Sequence, residues 1–180
     1  MELIGLLMIE HRLIEQIIQP LETELHHISH SNIAHPAFIY GAVDFFRTYA
    51  DRFHHGKEED ILFVELSKKP LSAEHKQIMG ELEEEHRYAR KTVAQLVTST
   101  DKWSNGEVDA LPVVAESLKK VCELYPWHIL KEDKEFFFPC QEYFSKSERE
   151  KLLEAGYQFD QNFTNVTYNS RMKSLLEHGR

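Results

Sequence analysis

Four histidines, His11, His54, His86 and His128, each stand on an otherwise apolar helical stripe, and two are followed four residues later by an acid: Glu58 after His54, Glu132 after His128. Four residues carry an α-helix about 400° round and roughly 6 Å along, so each imidazole and its carboxylate point the same way. One histidine on an apolar face is usually a hydrogen-bonded core residue; one on every helix of a bundle is a different pattern. Neutral imidazole with carboxylate suits iron, manganese or zinc. Two buried carboxylates also need counter-charge, which a pair of divalent ions supplies. Two metal ions are therefore expected, with Glu58 and Glu132 reaching between them.

The elements that must position these residues are helical. Apolar residues recur at three- and four-residue steps, and alternating runs closed by hairpin turns are missing, so the class is all-α. A first helix is predicted from about residue 2 to the mid-20s, with the stripe Leu3, Leu7, His11, Ile14, Ile18, Leu21 and Leu25 and with Pro20 as a point of bending. A second is expected from Pro36 to about Lys68 and a third from a cap at Ser72. The segment STDKWSNGEVD reads as a loop, and a fourth helix, capped by Asp109 and kinked at Pro126, ends at Pro139. Beyond it, SKSERE reads as a short capped helix, and a last helix is expected from about Gln158 to Leu176 with Phe159, Phe163, Val166 and Leu175 inward. The chain is read as one domain over 1–180, a bundle over 1–145 with a helical extension over 146–180.

A 180-residue chain that is 42% apolar with a net charge of −9 is long enough for a sizeable core and poorly suited to nucleic acid or an anionic membrane surface. The apolar run LIGLLMI is too short to span a bilayer. Two cysteines, Cys122 and Cys140, make neither a disulfide scaffold nor a paired zinc motif, so a reducing, cytoplasmic setting is expected. Eleven histidines against 7 glycines is the unusual figure, and placement decides what they mean.

The stretches MIEHRLIEQ around His11, HHGKEEDILF around His54, EEEHRYARKTV around His86 and HILKEDKEFFFP around His128 resemble, in order and spacing over residues 1–145, the hemerythrin-like HHE cation-binding family. That resemblance implies an antiparallel, up-down-up-down four-helix bundle holding an oxo- or hydroxo-bridged pair of non-haem irons, with zinc or another divalent ion as the alternative. It puts the metal ligands at His11, His54, Glu58, His86, His128 and Glu132. Oxygen carriers of the family have two third-helix histidines at a spacing of four, whereas Leu82 and Arg90 flank His86 here. The site is thus one imidazole short unless another residue bends in. The carriers also use an aspartate five residues after the last histidine, which would be Asp133; the stripe favours Glu132.

Neighbouring residues receive plainer readings. His55 and Glu59 repeat the spacing on a face with Asp44, Thr48 and Asp51, so they read as solvated, and His55→Ala is expected to keep both metal and stability. Glu15 reads as a surface or ligand-orienting acid, HHISH at 26–30 as a surface cluster, EELEEEH as mainly a solvated face, and Phe53 and Phe136 to Phe138 as core.

The function implied is a non-haem di-iron protein that binds or reacts with O2, NO or H2O2 in sensing or defence, with a redox partner or a homodimer contact. The missing imidazole favours the enzymatic alternative, peroxidase- or oxidase-like turnover or iron donation in repair, because a carboxylate-rich site stabilises ferric iron. Plain metal storage or a structural metal is the third reading.

Overall fold

In the computed structural model, residues 2–161 and 175–177 are described, and every element among them is helical. Helix α1 is Leu3–Ser31. Helix α2 covers 36–67: it is α-helical over Pro36–Phe45 and Val64–Ser67 and π-helical over Phe46–His55 and Glu58–Phe63. Helix α3 is Ala73–Ser104, and α4 covers 111–141 with a π-helical turn at Glu132–Phe136. Short connections make consecutive helices antiparallel, and α4 packs against both α1 and α3 while α2 closes the bundle against α3 and α1. Helix α5, Lys146–Gln161, lies outside the bundle against α1 and α2.

Each of the four long helices is built in three stretches, apolar, polar, apolar, and the bundle stacks them in register. One apolar cluster gathers Ile14, Ile17 and Leu21 with Phe46, Ala50, Val93, Leu96, Leu118 and Tyr125. The other gathers Leu3 and Leu7 with Leu62, Phe63, Ile78, Leu82, Phe136 and Phe137. Between them lies a single polar layer of buried histidines and acids.

Several ends differ from the sequence expectation. Helix α1 continues through HHISH, where the Ser29 and Ser31 hydroxyls donate to the carbonyls of His26 and His27 and keep that polar stretch helical. It stops at Asn32, whose left-handed φ of 55° lets its N–H reach Ile28 O. Helix α3 likewise runs through the expected loop to Ser104, because Thr98, Ser99 and Thr100 donate back to the carbonyls of Ala94, Gln95 and Leu96. Ser72 caps α3 by accepting from His75 N, as expected, whereas no side chain caps α4 and a 3₁₀ turn, Val108–Ala110, leads into it. Pro126 and Pro139 both lie within α4. SKSERE opens the 16-residue α5, where Ser145 and Glu148 cap each other reciprocally. Of the expected last helix, Phe163 and Val166 lie outside the described residues, Gln158 and Phe159 belong to α5, and Leu175 is buried against Gly41.

Candidate metal centre

The polar layer brings together five imidazoles and two carboxylates. His11 and His54 form one group with Glu58 and Glu132, and His55, His86 and His128 form another. The carboxylates span both groups. Glu58 Oε1 lies 3.3 Å from His54 Nε2 and its Oε2 lies 3.4 Å from His86 Nε2. Glu132 Oε2 lies 3.1 Å from His11 Nε2 and 3.3 Å from His128 Nε2, with Oε1 3.9 Å from His86 Nε2. All seven side chains are buried.

All six residues expected from the sequence converge here, and so does a seventh. His55, read as solvated, is 1% exposed, with its ring stacked on His86 at 3.8 Å between centroids. The reason is the helix type. A stripe drawn at 3.6 residues per turn turns His55 outward when His54 faces in; hydrogen bonding from i to i+5 widens the turn over Phe46–His55, so both neighbours face the layer. The paired acids at i+4, Glu58 and Glu59, were the available sign that neither register is ordinary. The same departure at Glu132–Phe136 accompanies the second His-x3-Glu pair.

A second set of acids holds four of the five rings from behind. His11 Nδ1 bonds Asp133 at 2.8 Å, His54 Nδ1 bonds Glu10 at 2.9 Å, His86 Nδ1 bonds Glu59 at 2.6 Å and His128 Nδ1 bonds Glu85 at 2.8 Å. Each acid is in turn paired with a cation: Arg12, Lys57, Arg90 and Lys131 respectively. A carboxylate on the outer nitrogen fixes ring orientation and tautomer and strengthens the inner nitrogen as a donor. Asp133 therefore serves His11 from outside, and Glu132 is the acid in the layer. Glu10 and Glu85 carry no sign of this role in the sequence, since an acid one residue before a histidine has no face signal of its own. Glu59 belongs to this outer set rather than to solvent. Glu15 pairs with Arg12 at the surface.

Among the described residues, His55 alone of the five has no acid at hydrogen-bond distance; Asp51 Oδ1 lies 3.6 Å from its Nδ1 and is engaged by Arg90 at 2.7 Å. The aromatic neighbours also divide. Phe136 and Phe137 are buried, Phe137 lying parallel to His11 at 5.6 Å, while Phe138 is 56% exposed and not core. His26 and His30 stack on one another at the surface, apart from the layer.

The donor atoms fit a cation. Eleven buried side-chain nitrogen and oxygen atoms among the described residues have no hydrogen-bond partner, and ten of them belong to these seven side chains. Each such atom costs about 1–3 kcal/mol when nothing answers it. A layer holding ten of them calls for positive charge between the rings and the acids, as protons or as bound cations. Its donors are imidazole and carboxylate without thiolate, since Cys122 and Cys140 are absent from both groups.

The charges agree. Burial alone would push these imidazoles down. For His54 the carboxylates of Glu58 and Glu10 outweigh it and lift the pKa to about 10. For His86, burial is outweighed by Glu132, Glu59 and Glu58, and the value rises to about 9. His55, buried beside His86 and His128, is held well below the ordinary range. Burial opposes ionisation of Glu132, yet His128, His11 and His86 hold it well below the usual carboxylate range. Without a metal, protons on His54 and His86 offset the acids beside them, and a cation would displace those protons.

The metal-free protein should lose stability as pH rises. Groups whose folded pKa is raised stabilise fully below their unfolded pKa of about 6.5 and lose that contribution as pH climbs through the folded value. Chelator-treated protein should therefore weaken between pH 6.5 and about 10, by roughly 1.4 kcal/mol per pH unit for each group still titrating. Urea midpoints at pH 7 and 9 measure it, and an equal or higher midpoint at pH 9 contradicts it.

A four-helix bundle whose polar layer takes histidines from all four helices and an acid from each of two defines a metal-binding helical domain. The family model described as the hemerythrin HHE cation-binding domain matches residues 2–138, and the chain belongs to that family. No curated protein and no solved structure matches alongside it. No helix among the described residues is long and apolar enough to cross a membrane.

Proposed function

We propose that the layer holds two non-haem irons and that the protein binds a small molecule of the O2, NO or H2O2 type there, in sensing or defence. The observation that carries this reading is the sharing of two carboxylates between two groups of imidazoles, three on one side and two on the other. His55, His86 and His128 would hold one ion, His11 and His54 the other, with Glu58 and Glu132 between them. Ferrous ions there would supply the electrons that such a ligand draws on. The residues do the rest: the outer acids hold each ring in place, and the apolar clusters at both ends keep bulk water away.

The unequal split matters. With one imidazole fewer, the group of His11 and His54 would leave an ion held there more room for an incoming ligand. A cavity of about 120 Å³ lies beside His55, on the side of the three-imidazole group, and is lined by Phe46, Ala89, Arg90, Val93 and Tyr125. Hollows three times larger, one near Thr98 and Val113 and one near Ile61 and Leu152, touch no donor. A shortage of imidazoles would favour enzymatic turnover; His55 beside His86 removes that shortage and favours binding. A reducing, cytoplasmic setting suits ferrous iron and the two unpaired cysteines.

The test is anaerobic protein loaded with ferrous iron and then exposed to O2. Reversible binding gives an oxygenated spectrum that argon removes. Immediate, irreversible oxidation to the ferric form supports the enzymatic alternative, and protein that retains only zinc, with no spectral change, supports a structural metal.

A further inference from the structure

Lys57 is the one lysine or arginine that is fully buried among the described residues, and in the metal centre it serves only as a counter-charge. Its ammonium donates to Glu10 Oε1, lies 3.6 Å from the centre of the Phe53 ring, and donates to Asp160 Oδ1 at 2.8 Å. The other oxygen of Glu10 takes His54 Nδ1 at 2.9 Å. A chain of four groups, Asp160, Lys57, Glu10 and His54, thus runs from α5 into the polar layer. Asp160 lies beyond the 2–138 stretch matched by the family.

The cations behind the other rings reach water: the side chains of Arg12, Arg90 and Lys131 are 52%, 38% and 23% exposed, against 0% for Lys57. Water can satisfy their charges, whereas a buried ammonium depends on the protein for every partner. With Glu10 as sole anionic partner, Lys57 would draw the carboxylate away from His54. Helix α5 is seated closely enough to prevent this. A Cβ at Gly56 would lie 2.9 Å from Phe159 Cζ and one at Gly156 would lie 2.7 Å from Leu3 Cδ1, so glycine at both places lets α5 lie down on α2 and α1.

We infer that Asp160 is a positioning residue for the metal centre: by sharing the charge of Lys57 it keeps Glu10 committed to the Nδ1–H of His54, and α5 is part of the site. This rests on the reading of His54 as a ligand. Its effect is confined to one ion, because in the other group His86 is backed by Glu59 with Arg90 and His128 by Glu85 with Lys131, and α5 supplies none of these.

The experiment is release of ferrous iron from fully loaded, anaerobic protein into a coloured ferrous chelator. Asp160→Asn is expected to speed the release of one ion about tenfold and leave the second at the wild-type rate, and Asp160→Glu restores the first. Leu152→Ala, which loosens the buried contact of α5 without touching the charge chain, lowers the melting temperature but does not separate the two rates. Should the Asn variant not fold, Asp160→Ser gives the same comparison. Wild-type rates for both ions in Asp160→Asn, or equal acceleration of both, overturn the assignment alone. Wild-type protein that takes up no iron overturns it together with the reading beneath it.

Discussion

Glu132→Gln is expected to leave the protein unable to retain either ion, whereas Asp133→Asn retains both with affinity lowered about ten- to hundredfold. Glu132 places one oxygen by His11 and His128 and the other towards His86, so losing its charge withdraws a donor from both groups at once. Asp133 touches only the outer nitrogen of His11 and is itself held by Arg12 at 2.5 Å, so its loss loosens one ring. The two residues are adjacent, buried and acidic, and nothing but geometry separates them. Metal content after reconstitution and dialysis decides between them; matching losses in the two variants would contradict a bridging Glu132 and an outer Asp133.

His55→Ala is expected to lower the iron content from two ions per chain to one. The ion left behind is that of His11 and His54, whose outer acids, Asp133 and Glu10, are untouched. The substitution also separates two contributions to stability. Its imidazole packs on His86 but brings two unpartnered ring nitrogens into the interior. In chelated protein the loss of packing is therefore largely offset by removal of those nitrogens, while in loaded protein the lost ion no longer adds its binding energy to the folded state. The gap in melting temperature between loaded and chelated forms should shrink to well under that of the wild type. A variant that keeps two ions, as a solvated His55 would allow, refutes the placement of that ring.

Apolar periodicity is a sound guide where the helices are regular. His11 and His86 lie in uninterrupted α-helix, and the 3.6-residue stripe that selects them also orders Leu7, Ile14, Leu82 and Val93 around them. It fails at His55, where the period itself changes. Helix ends are misplaced at HHISH and STDKW because polar composition reads as loop, while hydroxyls that bond back to the helix make the same residues compatible with it. Glu10, Glu59 and Glu85 escape notice for another reason: whether an acid beside a histidine meets solvent or the ring of a different helix depends on which helix lies opposite.

Spacing alone establishes that this chain is a helical bundle, that each of four helices carries one inward histidine, and that two of those are followed by an acid on the same face, because side-chain direction along a regular helix follows from position. Packing of the helices against one another supplies the fifth imidazole, the acid and cation behind each of the other four, and the tie from α5 through Lys57. Those depend on a local widening of the helix and on contacts between residues up to 122 positions apart, and neither is written in the spacing of any one segment.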